Sequence, residues 1–216
     1  MKNRNRFRAF HLLLLSGILA SGCHKTSKVI DFGSFKNGTY TNDFFNLTVY
    51  IPESWYVLDD ESRIEFMRQG NKLIAGKDEN LNAVLEAVEL QNLNLLTASE
   101  YPPGAPVSSN SNLVLMAEKV KHLPGIVRGR DYHFHTKKLL QSSAVQMEYP
   151  NEIYEQIIDG VAFDVLDIEI KIGNQMIRQK QYVTIMNGYA LAFGMTYLDA
   201  EGLKKLEDII HRVDFN

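Results

Sequence analysis

The chain of 216 residues is predicted to fold as an α+β domain in which helices pack on a mostly antiparallel sheet. Two observations in the last third carry this prediction. Three long segments alternate apolar and polar side chains with period two, as strands do, and short turns join them. The final segment instead repeats its apolar residues at helical spacing. Strands that follow one another through short turns, with helices between, are typical of an antiparallel sheet flanked by helices.

The first third opens with two short strands, expected at residues 39–40 and 47–51. A helix follows, starting at Asp59 or Asp60, either of which can cap its N-terminus, and ending near Gln69. Acids at this position oppose the positive end of the helix dipole, so the run of acids from residue 59 to residue 61 has a structural explanation.

The middle of the chain is less clear. Residues 82–91 fit a helix by the spacing of Leu81 and Leu85, and they also fit a strand by alternation. Residues 100–112 are predicted to be a loop, because they combine Pro, Gly, Ser and Asn. A strand is predicted at 112–120 and a helix at 131–141, capped by Asp131. The inner face of that helix is expected to present Tyr132, His135, Thr136 and Leu139.

The last third contains the clearest strands. They are predicted at residues 144–149 and 153–158, paired with each other, and at residues 162–172, 175–186 and 189–197. Asn187-Gly188 is a strong type I′ hairpin pattern, because both positions of that turn need positive φ. Ala190, Ala192 and Gly194 place small side chains on one strand face, so something is expected to pack closely there. Asp199 is expected to cap a final helix with an apolar stripe at Leu203, Leu206, Ile209 and Ile210.

The N-terminus is predicted to be a lipoprotein signal peptide over residues 1–22. Lys2, Arg4, Arg6 and Arg8 form a basic start, and a short apolar run follows that is well under the roughly 20 residues of a membrane-spanning helix. The run ends in Leu-Ala-Ser-Gly-Cys, which resembles the bacterial lipobox. That resemblance implies cleavage before Cys23 and attachment of two or three acyl chains to it, which hold a protein stably to a membrane.

Composition limits the possible roles of the remaining chain. The predicted signal peptide carries four of the 23 Lys and Arg residues and none of the 26 Asp and Glu residues, so a net charge near −7 remains. An acidic surface argues against nucleic acid as a partner. Cys23 is the only cysteine, so no internal disulfide can form. Residues 23–36 are predicted to be a lipidated tether and residues 37–216 a single domain.

Catalytic and metal-binding patterns are weak. No Gly-x-Ser-x-Gly motif is present, and Ser108, Ser109 and Ser111 fall in the predicted loop, where serine is common. Gly125 and Gly129 lack the spacing of a phosphate-binding loop. We therefore expect no catalytic residue and no cofactor.

His133 and His135 are the one lead to a metal site, with Asp131 and His122 nearby in sequence. On the predicted helix the two rings diverge, so one inward and one outward histidine is the preferred interpretation, and no metal is expected. The acids Asp164, Asp167 and Glu169 are interpreted as a solvated strand face.

Aromatic residues crowd the N-terminal third of the domain. Core packing is the expected role for most of them, with Trp55 covering the edge of the core. A groove for a protein or peptide is the alternative. The residues are Tyr40, Phe44, Phe45, Tyr50, Trp55 and Tyr56.

Four segments form a recognisable pattern. They are Gly38, Tyr40 and Asn42; residues 47–55, ending in Pro-x-x-Trp; residues 179–189; and Thr196-Tyr197. Together they resemble the PsbP-like group of small bacterial lipoproteins. The resemblance covers roughly residues 36–216. It implies an α/β/α sandwich around an antiparallel sheet, an accessory or binding role without catalysis, and a strand rather than a helix at 82–91.

The function expected from these observations is that of a non-catalytic accessory or binding protein. It would be held on the extracytoplasmic side of the inner or outer membrane by the lipid on Cys23, with an envelope protein as partner. The alternative is a lipoprotein that binds a small ligand or metal for an envelope transporter. A ligand-binding protein should contain a deep pocket, whereas a partner module should expose an apolar patch.

Overall fold

The structure is a computed structural model that describes residues 30–89 and 92–216. Within these residues it contains twelve strands, four α-helices and one turn of 3-10 helix at Leu140–Ser142. The strands are β1 (Ser34–Lys36), β2 (Thr39–Asn42), β3 (Leu47–Tyr50), β4 (Tyr56–Val57), β5 (Asn92–Ser99), β6 (Asn112–Lys119), β7 (Gln146–Glu148), β8 (Tyr154–Ile158), β9 (Val161–Ile172), β10 (Gln175–Met186), β11 (Tyr189–Tyr197) and β12 (Asp214–Phe215). The helices are α1 (Asp60–Ala75), α2 (Glu79–Glu89), α3 (Gly129–Leu139) and α4 (Ala200–Ile210).

The central layer is a sheet in the order β4-β5-β6-β11-β10-β9-β7, with β8 also paired to β9. Every pairing in it is antiparallel. A second sheet has the order β1-β2-β3-β12. The long central strands arise from the period-two alternation of the last third, and their turns have the predicted geometry. Asn187 and Gly188 both have positive φ, 54° and 84°, as a type I′ turn requires.

One face of the central sheet packs against α4 and the small sheet to form the main core. Leu206, Ile209 and Ile210 of α4 are fully buried there, and Asp199 caps the helix as predicted, accepting a hydrogen bond from the Gly202 amide at 2.8 Å. Most of the N-terminal aromatic residues also belong to this core, whereas Tyr50 and Tyr56 are exposed. Helices α1, α2 and α3 lie over the opposite face. The predicted α+β fold, an antiparallel sheet flanked by helices, is confirmed.

The strand prediction for residues 82–91 is wrong, because α2 runs through Glu79–Glu89. Leu81 and Leu85, four residues apart, are buried together against Ala75, which is the helical option of the sequence pattern. Asp78 accepts a hydrogen bond from the Leu81 amide at 2.9 Å and so satisfies a free N–H group of the first turn. The packing of Leu81 and Leu85 on Ala75 therefore favours the helical conformation of this segment, and β5 begins only at residue 92.

Three further predictions need correction. β7 and β8 do not pair with each other; both pair with β9, one after the other along its edge. The end of the segment predicted as a tether is β1, which pairs with β2 and so belongs to the folded domain. Helix α1 extends to Ala75 rather than Gln69, although Asp59 caps it as expected. No helix in the described residues combines the length and apolar character needed to cross a membrane.

Candidate functional site

A cavity of about 680 Å³ lies between the central sheet and the helices α1 and α3. Its floor is formed by β6, β11, β10 and the end of β9, and its walls by the two helices with Leu85 of α2 and Leu123 and Ile126 of the segment before α3. The volume is within the range of about 300–1,000 Å³ that is typical of small-molecule sites. The cavity is therefore large enough for a small molecule, although its lining is mostly apolar rather than polar.

The floor is ordered in rows because the three central strands pair in register. Gln179, Thr196 and Asn112 lie opposite one another in the first row, and Gln181, Gly194 and Val114 in the second. The third row contains Val183, Ala192 and Met116. The row at Glu118 closes the series. Neutral polar side chains thus stand at one end of the floor, in the first row and at Gln181 of the second, and small or apolar side chains occupy the rest of its middle.

Gly194 explains why the middle of the floor is hollow. A Cβ atom added there would meet only the backbone oxygen of Val114, at 3.9 Å, which is an ordinary contact distance. Ala190 and Ala192 are covered differently: they belong to a cluster with Ile126, against which Leu123 packs. The prediction that something packs closely on the small residues is therefore right for the two alanines and wrong for Gly194, which faces open space.

Helix α3 is held on the sheet at its N-terminus. Gly129 approaches the Val183 backbone so closely that a Cβ atom would collide with the Val183 oxygen. The buried Asp164 carboxylate accepts hydrogen bonds from the Arg130 amide at 3.0 Å and from its guanidinium at 2.9 and 3.0 Å. His133 is fully buried one turn further, with Nε2 3.0 Å from the Asp164 carbonyl oxygen. Burial lowers the pKa of His133, so the neutral ring donates this hydrogen bond.

These contacts revise two sequence interpretations. Asp164 is not part of a solvated face; it is 4 % exposed and lies on the Leu166 side of β9, where Arg128 and Arg130 neutralise it. Asp131 does not occupy the capping position but the third helical position, and its carboxylate accepts from the Val127 and Arg128 amides. The sequence could not show these partners, because the ion pair joins residues 34 apart.

The far end of the cavity carries the pair formed by Tyr132 and Glu118. The Tyr132 hydroxyl donates to the Glu118 carboxylate at 2.6 Å. Burial and the neighbouring carboxylate raise the pKa of Tyr132 well above its usual value, so it stays protonated. The carboxylate accordingly has a fixed hydrogen-bond donor inside the protein, and this pair forms a polar wall for the cavity.

Helix α1 forms the opposite wall with Phe66, Met67 and Ile74. Its C-terminal end is tied to the segment after α3, because the Ala144 amide donates to the Ile74 carbonyl at 2.8 Å. The two walls are therefore joined at one end, and the small residues of the floor leave the space between them open.

The predicted metal lead does not form a site. His133 points inward and His135 is exposed at the cavity edge, which is the divergence expected of neighbouring residues on a helix. Among the residues that the structure describes, no three His, Asp or Glu side chains are grouped in a way that could hold a metal ion.

Ser108, Ser109 and Ser111 border a separate polar cavity of about 410 Å³ beside the N-terminus of α4. Lys205 there pairs with Glu100 at 2.6 Å and with Glu201 at 2.8 Å. The cation and the acids neutralise one another, so these three side chains offer no unpaired charge to a ligand in this cavity. Cys23, the predicted lipid attachment site, lies outside the described residues.

The residues that sequence reasoning missed are those of the cavity floor. Gln179, Gln181 and Thr196 occupy inward positions of strands that are otherwise apolar on that side. Polar residues at positions expected to be apolar were the signal in the sequence that could have revealed the floor. It pointed to a polar surface under the helices, next to the small side chains of β11.

Comparisons with known proteins give structural similarity alone. No family model and no curated protein sequence matches the chain. Among solved structures, cyanobacterial PsbP from Synechocystis has a TM-score of 0.49 at 14% identity, covering 85% of this chain and 96% of that chain. A PsbP protein, the family to which the sequence pattern pointed, is thus among the similar structures. LpqN, involved in cell envelope biogenesis of Mycobacterium tuberculosis, has a TM-score of 0.43 at 11% identity, covering 78% and 82%.

A third structure is the immunity protein TplEi of the T6SS from Pseudomonas aeruginosa, complexed with a peptide. Its TM-score is 0.43 at 9% identity, covering 84% of this chain and 99% of that chain.

Proposed function

We propose that this chain is a lipid-anchored binding protein on the extracytoplasmic side of the cell envelope, and that it holds a small, largely apolar molecule in the cavity without transforming it. The cavity at Gly194 is the observation that carries this proposal. The basic, apolar and lipobox-like pattern that ends at Cys23 supports the anchor.

The chemistry of the lining favours binding. Apolar side chains from both helices and from the middle of the floor form most of the wall, including Leu73, Ile74, Leu139, Val145, Ile170, Ile177 and Val183. A ligand that displaces water from these side chains gains about 25 cal/mol for each Å² of apolar surface removed from water. Glu118 and Tyr132, two of the titratable groups in the lining, are hydrogen-bonded to each other.

The proposal is tested on the full chain in native membranes with a photoactivatable probe, a diazirine-bearing alkyl alcohol. After irradiation, labelled peptides are identified by mass spectrometry. We expect labelling of α1, α3 and β6 in the wild type and at least tenfold less in Gly194→Leu, whose side chain would fill the middle of the floor. Ala162→Leu is the matched control, because Ala162 is an exposed strand residue outside the cavity lining. Equal labelling of the three proteins would refute the proposal.

The anchor is tested separately by Cys23→Ala. We expect the wild type in the membrane fraction and the variant to lose both metabolic labelling with an alkyne-bearing fatty acid and firm membrane association. A wild-type protein that stays in the soluble fraction and takes up no fatty acid would contradict the anchor while leaving the binding site open to test.

The predicted accessory role with a protein partner is a second proposal. It is supported by the exposure of two large apolar side chains, Val127 just before α3, which is 74% exposed, and Phe134 in the middle of α3, which is 60% exposed. Crosslinking in native membranes should capture one reproducible envelope protein with the wild type and lose it with Phe134→Ser. Val84→Ser, at an exposed position of α2, is the control. Capture that is unchanged in Phe134→Ser would exclude this surface as the docking site.

A further inference from the structure

We infer that the ligand of this cavity is an uncharged amphipathic molecule, with an alkyl-type chain and a head group bearing hydroxyl or amide groups. This inference rests on the proposed function and specifies its ligand class. It follows from the distribution of charge and hydrogen-bonding groups over the floor of the cavity.

The first row of the floor can bind a neutral polar head group. Gln179, Thr196 and Asn112 lie side by side on three adjacent strands. Gln179 Nε2 donates to Thr196 Oγ1 at 3.2 Å, and Gln181 Nε2 donates to Gln179 Oε1 at 3.4 Å. An amide has two N–H donors and an oxygen with two lone pairs, and a hydroxyl has one donor. The row therefore keeps donors and acceptors for a ligand after its internal hydrogen bonds are made.

A charged head group of either sign would find no partner at this row. The row itself contains only amides and a hydroxyl. Among the described residues that line the cavity none is Lys or Arg, and the one histidine, His135, is an exposed side chain at the cavity edge. A carboxylate or phosphate at the row would therefore lose its hydration without a cation in the row to replace it. The lining carboxylate belongs to Glu118, six residues from Asn112 along β6, which is roughly 20 Å at the rise of an extended strand. An ammonium group at the first row is therefore too far from it to pair.

The rest of the floor fits an alkyl chain. From the first row, the path along the strands crosses Gly194 and Val114 in the second row and ends against Val183, Ala192 and Met116, where the cluster with Ile126 begins. Gln181 also belongs to the second row, but its amide bonds back to Gln179 in the first. Leu139 and Ile74 face this path from the two helices. One polar end and an apolar path of about two rows match an amphipath whose chain lies along the strands.

Three probes that share one diazirine-bearing alkyl chain test the inference in native membranes containing the full chain. They end in a hydroxyl, a carboxylic acid and a primary amine, so chain length and photochemistry are constant. Labelling of α1, α3 and β6 is divided by that of Gly194→Leu in the same membranes, which removes differences in partitioning. We expect the alcohol to label at least tenfold more than the acid and the amine.

Thr196→Val and Thr184→Val are the matched pair of variants. Both make the same chemical change, but Thr184 lies on the opposite face of β10 and outside the lining. A hydrogen bond contributes about 1 kcal/mol, or roughly fivefold in binding. We expect Thr196→Val to reduce the preference for the alcohol about fivefold and Thr184→Val to leave it unchanged.

The outcomes separate the two proposals. Absence of specific labelling by all three probes would overturn the proposed function. Equal labelling by the three probes, or a preference for the acid or the amine, would keep a binding cavity and overturn this inference. Clearly stronger labelling per molecule of Cys23→Ala than of the wild type, with both probed in whole cells because the variant leaves the membrane fraction, would show that the chain's own lipid occupies the cavity, which also overturns it.

Discussion

Replacing Gly194 with alanine should make the protein more stable, which is unusual for a residue in the middle of a central strand. Glycine there costs roughly 0.5–1 kcal/mol relative to alanine, because the unfolded chain has more freedom to lose. The new methyl group would meet only the Val114 oxygen, at 3.9 Å, so no strain offsets this gain. We expect the free energy of unfolding to rise by about 0.5–1 kcal/mol and the melting temperature by roughly 1–4 °C.

Gly129→Ala provides the contrasting control. Its methyl group would collide with the Val183 oxygen, so α3 would have to move off the sheet. Overpacking of this kind costs about 1–3 kcal/mol. Urea unfolding followed through Trp55, the single tryptophan, measures both variants. If Gly194→Ala lost 1 kcal/mol or more, the floor at Gly194 would be covered in solution and the cavity would be closed.

Three other substitutions test the contacts that shape the site. Asp164→Asn should lower stability by about 2–3 kcal/mol, because it leaves Arg130 without its carboxylate, whereas Glu155→Gln at an exposed ion pair should cost no more than about 0.5 kcal/mol. The depressed pKa of His133 means that the unfolded state takes up a proton first as the pH falls. The contribution of the neutral His133 ring to the free energy of unfolding is therefore complete above pH 6.5 and declines below it. His133→Gln should accordingly flatten the acid side of a plot of stability against pH. Asp199→Ala should cost about 1 kcal/mol by removing the cap at Gly202, and an unchanged urea midpoint would show that water replaces it.

The fold was largely predictable because its main elements follow local patterns. Alternation over 162–172, 175–186 and 189–197, together with the Asn187-Gly188 turn, specified three central strands and their register. The apolar stripe of α4 specified its buried face. The error at 82–91 arose because a short apolar pattern fits both periods, and the packing of Leu85 against Ala75 settles it.

The site was less predictable because it depends on distances between segments far apart in sequence. The Asp164 interpretation failed since its partner Arg130 comes from a helix 34 residues earlier. The size of the cavity depends on two contacts: the close approach of Gly129 in α3 to the Val183 backbone, and the hydrogen bond from the Ala144 amide to the Ile74 carbonyl of α1. The periodicity of the sequence does not encode how far α3 and α1 lie from the sheet. It did indicate the face of small residues on β11, where either close packing or open space must occur.

The polar row on the floor indicates that the sequence itself keeps the cavity open, and that the cavity is not a packing defect. A sheet face covered directly by a helix is apolar in most proteins, because a buried amide or hydroxyl without a partner costs about 1–3 kcal/mol. Gln179, Thr196 and Asn112 lie on such a face. Gln179 donates to Thr196 and Asn112 donates to the Asn110 carbonyl oxygen, which leaves further hydrogen-bonding capacity directed at the cavity. Dry packing of α1 against this row would leave that capacity unsatisfied. The same row therefore disfavours direct contact of α1 with the sheet, and it would favour a ligand that carries its own polar group.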